Sequence, residues 1–217
     1  HDPSDGQALF LKRSTEAPGD ALWRLAARRW VRGRPLHSEP YHVHLAEQTL
    51  RSHGFNPMQV LAWGERRAWG WLPTQGFMVA RGVPGDSLEA LFIKGSASLR
   101  QRVLCVVGRL MGRMHHRGFN VTLRLYDLFA PRQAMQAADW RTIDPAIIDL
   151  DFKGHLLHAT DFDADKAIRA TAHSAYLMLR TGLRFAPGEA AAWLRAYRRQ
   201  LRDAGVKTPH RLAKRLR

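Results

Sequence analysis

The chain has 217 residues, with 34 Lys and Arg against 19 Asp and Glu, so its formal net charge at pH 7 is +15. An apolar fraction of 45% and a charged fraction of 24% are those of a globular protein, which excludes disorder, collagen and coiled coil as descriptions of the whole. The single cysteine excludes a disulfide framework, and no apolar run approaches the ~20 residues of a membrane-spanning helix. We therefore expect a cytoplasmic protein.

The first third of the chain predicts a small lobe of about four strands and two helices. Strands are predicted at residues 8–12, 58–63, 69–72 and 77–81, where short apolar runs lie between turn residues. One helix is predicted over 20–32, where apolar residues recur at helical spacing. A second is predicted from Pro40, which suits the first helical position, to near Gly54.

The remaining chain is predicted to be mainly helical. Gly82, Pro84 and Gly85 interrupt the strand pattern, and a long amphipathic helix then covers residues 103–114 and ends at Gly118. A short buried strand is predicted at 147–152, followed by two helices near 168–179 and 193–201. The class is thus α+β, with a strand-rich N-lobe over residues 1–81 and a helical C-lobe over 82–217. This is the architecture of a protein kinase.

Two residues suit phosphoryl transfer, which requires a lysine on a strand and carboxylates for Mg²⁺. Lys12 ends the first apolar strand, where a nucleotide-binding lysine belongs. Asp149 directly follows two isoleucines, and a carboxylate at the end of a buried strand is costly unless it binds something. We interpret Lys12 as a nucleotide ligand and Asp149 as a nucleotide and magnesium ligand.

Several segments occur together in a fixed order. These are LFLK ending at Lys12, HGFNPMQVLAWGE (53–65), FMVARGVPGDSLEAL (77–91), LMGRMHHRGFN (110–120), IIDLDF (147–152) and AAWLRAY (191–197). Together they resemble the lipopolysaccharide core kinases, the Kdo and heptose kinase family with its small toluene-tolerance relatives, over roughly residues 8–200. The resemblance implies a protein-kinase fold, ATP and Mg²⁺ as cofactors, and phosphorylation of an inner-core sugar at the cytoplasmic face of a Gram-negative inner membrane.

The resemblance also assigns positions in the catalytic loop. Thr122 falls at the family's catalytic Asp, and Asp127 falls five residues later, where kinases have a magnesium-binding Asn. A threonine hydroxyl does not accept a proton from a sugar hydroxyl near neutral pH. Two functions therefore stay open: an active sugar kinase, or an impaired pseudokinase that acts as a binding or regulatory module in envelope or lipopolysaccharide assembly.

The resemblance further implies a glutamate on the small-lobe helix that pairs with Lys12. Glu39 and Glu47 lie one turn on either side of the aligned position near Val43. Because Pro40 places Glu39 at the very start of the helix, we predict that Glu47 is the partner. No GxGxxG phosphate loop precedes Lys12 in the sequence.

The positive charge indicates an anionic partner. Arginine binds phosphate through a planar fork of donors, and basic residues also gather at anionic membranes. The resemblance makes this partner a lipopolysaccharide precursor or another anionic glycolipid, with the protein peripheral to the inner membrane. The run from Arg211 to Arg217 resembles the end of a basic amphipathic helix. Nucleic acid is the alternative partner, and we do not favour it.

Two further residues receive structural interpretations. His115 is predicted to pack at the end of the long helix. Cys105 lies on the apolar side of that helix and is predicted to belong to the core.

Overall fold

The computed structural model describes residues 8–15, 37–70, 72–148 and 161–206. The elements in chain order are β1 (Leu9–Thr15), α1 (Glu39–Ser52), β2 (Val60–Ala68), β3 (Leu72–Arg81), β4 (Asp86–Ser87), α2 (Leu88–Ile93), α3 (Ala97–His116), β5 (Leu128–Ala130), α4 (Arg132–Gln136), β6 (Ala146–Ile147), α5 (Ala164–Arg180) and α6 (Pro187–Asp203). Two 3₁₀ turns cover Leu125–Asp127 and Trp140–Thr142. The helix predicted over 20–32, Asp149 and the terminal basic run lie outside the described residues.

The N-terminal sheet has three antiparallel strands in the order β1-β3-β2. Lys12 on β1 lies opposite Met78 on β3. The prediction of separate strands at 58–63 and 69–72 was wrong, because β2 continues to Ala68. Trp69 and Gly70, both with positive φ (48° and 70°), form the tight turn into β3.

Helix α1 packs on this sheet through an apolar stripe. Val43, Ala46 and Leu50 recur at helical spacing and are almost completely buried. Its first turn lies directly over the central strand, because Gly76 has no side chain. A Cβ on Gly76 would be 2.8 Å from Pro40 Cδ and 2.9 Å from the Ser14 hydroxyl. This contact decides which end of α1 faces β1.

Helix α3 forms the centre of the helical part. Its predicted apolar face is buried, and Ser96 caps its N-terminus by accepting a hydrogen bond from the Leu99 N–H at 3.4 Å. Gly108 and Gly112 face α6, and the two helices pack closely there. A Cβ on Gly108 would be 2.5 Å from the Trp193 carbonyl oxygen, so only glycine permits this separation.

A second small sheet, β4-β5-β6, joins three distant parts of the chain. Asp86 on β4 pairs with Ala130 on β5, and Leu128 on β5 pairs with Ile147 on β6. Ile147 also bonds to the segment before β2, since the Met58 N–H donates to its carbonyl oxygen at 2.8 Å. Within the described residues, no helix combines the length and apolarity needed to cross a bilayer.

Candidate functional site

The first component of the site is an ion pair between β1 and α1. Lys12 Nζ lies 2.6 Å from Glu39 Oε1, with the two side chains 51% and 33% exposed. Strand β1 presents the lysine at the position opposite Met78, and α1 presents the glutamate at its first residue. A strand lysine paired with a glutamate on the next helix is the arrangement with which protein kinases hold nucleotide phosphates.

The prediction that Glu47 pairs with Lys12 is wrong. Glu47 lies eight residues after Glu39, about 12 Å further along the helix axis, and its Oε1 accepts from Arg51 Nε at 2.7 Å. The physical reason is the contact between Pro40 and Gly76, which places the first turn of α1, rather than its third, beside β1.

The N-terminus of α1 is held by a second glutamate, on β2. Glu65 Oε2 accepts a hydrogen bond from the Ser38 N–H at 2.8 Å, and Arg67 Nε donates to its Oε1 at 2.7 Å. Burial acts to raise the pKa of Glu65, but the hydrogen bonds from Ser38 and Arg67 lower it to about 2. The carboxylate therefore stays charged at neutral pH and fixes the helix end that carries Glu39.

The second component is the loop from Phe119 to Asp127, which follows α3. His115 Nε2 lies 3.4 Å from the Val121 carbonyl oxygen, and the Leu123 N–H donates to Ser174 Oγ on α5 at 3.0 Å. Thr122, predicted at the catalytic position, lies between these two anchored residues and is half-buried. The backbone on both sides of Thr122 is therefore fixed by core residues.

Asp127 ends this loop in a buried position, 7% exposed. Arg124 Nε donates to its Oδ2 at 2.5 Å, and the Arg124 guanidinium also lies 4.5 Å from the centre of the Tyr126 ring. The Ile148 N–H donates to the Asp127 carbonyl oxygen at 2.9 Å. The loop thus meets the chain segment that leads directly into Asp149, although Asp149 itself lies outside the described residues.

A magnesium ion fits the chemistry of this end of the loop. Mg²⁺ is usually held by one or two carboxylates together with substrate phosphates and water. Asp127 supplies one buried carboxylate. Within the described ranges, no cluster of three or more His, Cys, Asp and Glu side chains is arranged to hold a metal. That Asp127 and Asp149 are magnesium ligands stays a prediction.

Sequence reasoning missed Arg124. Arg124 lies between Thr122 and Asp127 in the sequence. Its guanidinium forms an ion pair with Asp127, the candidate magnesium ligand. The available signal was its spacing of three residues before Asp127, which brings two side chains together on one turn. His115 was predicted correctly as a packing residue: it is fully buried at the end of α3.

Comparisons with known proteins address the fold. No protein-family model matches the sequence, and no curated protein matches it. A solved structure described as WaaP in complex with acyl carrier protein superposes with a TM-score of 0.57 at 19% identity, covering 98% of this chain and 78% of that chain. The fold is kinase-like. The predicted α+β class and bilobal kinase-like architecture are confirmed, and at this identity the likeness shows the fold alone.

Proposed function

We propose that the protein is an ATP-dependent kinase that phosphorylates a sugar hydroxyl of the lipopolysaccharide inner core or its precursor. The observation that carries the proposal is the Lys12–Glu39 ion pair, formed by the strand and helix on which protein kinases place their nucleotide-binding lysine and its partner. The kinase-like fold supports the reaction class, and the resemblance to the core kinases supports the acceptor class.

Each site residue has a role in this proposal. Lys12 binds nucleotide phosphates and is oriented by Glu39, while Asp127 and Asp149 are the magnesium ligands. A bound Mg²⁺ would neutralise charge on the phosphate oxygens. Arg124 adds a positive charge beside Asp127, where negative charge develops during transfer. Because phosphoryl transfer depends mainly on positioning and charge stabilisation, the lack of a general base at Thr122 lowers the rate without removing the remaining contributions.

The proposed location is the cytoplasmic face of the inner membrane, with the protein bound peripherally. The acceptor is an anionic glycolipid, so the enzyme has to work at a negative surface. A net charge of +15 favours such a surface, since each basic residue close to it contributes about 1 kcal/mol.

Nucleotide binding is tested by thermal unfolding with and without ATP and Mg²⁺. A ligand that binds only the folded state raises the midpoint. We expect the rise in the wild type, its loss in Lys12→Met and its reduction in Glu39→Gln. Glu47→Gln is the matched control on the same helix and should keep the full rise. An equal loss in Glu39→Gln and Glu47→Gln, or no rise in the wild type, would refute the assignment of the pair.

A second candidate function, the pseudokinase, is favoured by Thr122. Positioned general bases typically contribute 10²–10⁴-fold to rate, and this position has a hydroxyl instead of a carboxylate. The measurement is ADP release with a purified core-sugar acceptor. Acceptor-dependent release that is lost in Lys12→Met and raised in Thr122→Asp supports the kinase. Nucleotide binding without any acceptor-dependent release supports the pseudokinase.

A further inference from the structure

An arginine-lined cavity of about 720 Å³ lies between α3, α6 and the Trp140–Thr142 turn. It shares no residue with the candidate kinase site. Helix α3 contributes Arg102 and Arg109, which are seven residues apart and lie on the same face of the helix. The turn contributes Trp140 and Arg141. His115, which contacts the loop that carries Thr122, lies about 120° around α3 from Arg109.

The opposite wall is an arginine stripe on α6. Arg195, Arg198, Arg199 and Arg202 follow the i, i+3, i+4, i+7 spacing that puts residues on one helix face. Like charges at these spacings destabilise a helix. The stripe is therefore unfavourable for folding by itself.

The positive charge of the cavity is not balanced by carboxylates. Within the described part of the chain, none of its seven arginines forms an ion pair, and Asp203 is the one acidic residue in the lining. The pKa of Arg109 is lowered, first by burial and then by the neighbouring charges of Arg113 and Arg141, although Cys105 and Asp144 act in the opposite direction. A bound anion would offset both the repulsion and the desolvation.

The guanidinium groups on the α3 side are held in fixed positions. The Trp140 ring centre lies 5.6 Å from the Arg102 guanidinium, 5.7 Å from that of Arg109 and 4.7 Å from that of Arg141. Arg102 Nη1 also donates to the Gln136 carbonyl oxygen at 2.8 Å, and Arg109 Nη1 donates to the carbonyl oxygen of Arg141. These contacts order the arginine side chains before any ligand binds.

We propose that this cavity binds a multiply phosphorylated ligand. Guanidinium groups form paired, charge-assisted hydrogen bonds with phosphate, and several of them converge here from three chain segments. A volume of about 720 Å³ lies within the range of small-ligand pockets. The phosphates belong either to a free soluble compound or to the headgroup of a phosphorylated lipid, which present the same chemistry to the arginines.

Two probes separate these sources. Calorimetric titration with sodium tripolyphosphate tests a free ligand, and sedimentation with vesicles of phosphatidic acid in phosphatidylcholine tests a headgroup. The cavity variant is Arg195→Gln with Arg199→Gln. The matched control is Arg169→Gln with Arg180→Gln, which removes the same charge from exposed positions on α5. Circular dichroism confirms that both variants fold.

We expect the cavity variant to bind tripolyphosphate at least ~10-fold more weakly than the wild type, since each charge-assisted hydrogen bond contributes about that factor. The control variant should keep wild-type affinity. Binding to phosphatidic acid vesicles alone, lost in the cavity variant and kept in the control, also supports the site and assigns it to a lipid headgroup.

Three results would overturn the proposal. Equal weakening in both double variants would show that only the overall charge matters. No binding of either probe at low salt would show that the cavity does not recognise phosphate. Binding of duplex DNA that depends on Arg195 and Arg199, without binding of tripolyphosphate or vesicles, would show a nucleic-acid surface instead.

Discussion

Mild acid should destabilise the folded protein through His115. This side chain is fully buried, with Nδ1 3.0 Å from the Tyr197 hydroxyl and Nε2 3.4 Å from the Val121 carbonyl oxygen. A carbonyl only accepts, so Nε2 carries the proton, and Nδ1 accepts from the Tyr197 hydroxyl. The neutral imidazole satisfies both partners. Burial lowers the pKa of His115 to about 4, from an ordinary value of 6.5.

The magnitude follows from this shift in pKa. The difference between 6.5 and about 4 corresponds to about 3 kcal/mol at roughly 1.4 kcal/mol per unit. Since the folded-state pKa is the lower one, the unfolded chain takes up the proton first as the pH falls. The stability contributed by neutral His115 is therefore complete above pH 6.5, decreases between pH 6.5 and 4, and is absent below.

The assay is urea unfolding of the wild type and His115→Gln at a series of pH values from 7.5 to 4. Other groups titrate in both proteins, so the difference in the free energy of unfolding isolates His115. We expect this difference to shrink by about 1.4 kcal/mol per pH unit below 6.5. His116→Gln, the exposed neighbour, is the control and should keep the wild-type slope. Parallel pH profiles for the wild type and His115→Gln would refute the reasoning.

Three further predictions concern packing, an ion pair and the membrane. Gly108→Ala should destabilise the protein by about 1–3 kcal/mol in urea unfolding, because the new Cβ meets the α6 backbone. Gly188→Ala is the control and should be neutral or stabilising, because a Cβ there would meet no atom from elsewhere in the described chain within 4 Å. Glu189→Gln should lower the free energy of unfolding by about 1–3 kcal/mol in the same assay, since Arg100 Nε lies 2.7 Å from Glu189 Oε1. If the loss of this pair is the cause, adding Glu189→Gln to Arg100→Gln should cause no further loss of stability. The protein should sediment with anionic liposomes at low salt and be released at high salt, with truncation after Val206 weakening the binding in part; equal sedimentation with neutral vesicles would contradict a charge-driven association.

The long helices α1, α3, α5 and α6 were predictable because their apolar residues recur at helical spacing over several turns. The short helices α2 and α4 were not predicted, since one turn or so is too short for such a pattern. The strands of the N-terminal hairpin were harder. Residues 64–67, Gly-Glu-Arg-Arg, have the composition of a loop, yet they lie within β2. Phe77 on β3 covers Gly64, where a Cβ would be 2.4 Å from the Phe77 ring. The charged side chains of this stretch form ion pairs or face solvent. Packing by a neighbouring strand overrides local propensity here.

The choice between Glu39 and Glu47 could not be made from spacing alone. Both lie on α1, and helical periodicity does not fix which turn faces β1. That was decided by a contact between residues far apart in sequence, Pro40 over Gly76. The arginine cavity likewise depends on contacts between residues far apart in sequence, since its walls come from α3, α6 and a turn. Only the stripe on α6 is visible as a pattern in the sequence.

In the loop around Thr122, the residues that fix the backbone conformation differ from the residue proposed to act in catalysis. Its conformation is set by His115 at the Val121 carbonyl and by Ser174 at the Leu123 N–H, and neither anchor involves the Thr122 side chain. A carboxylate introduced at residue 122 would therefore enter a loop whose backbone is already fixed by its neighbours. A rate change in Thr122→Asp would support the general-base position proposed for residue 122, whereas a loss of nucleotide-dependent stabilisation in His115→Gln would report on the loop's conformation. The two substitutions thus test the proposed catalytic role of residue 122 separately from the conformation of the loop.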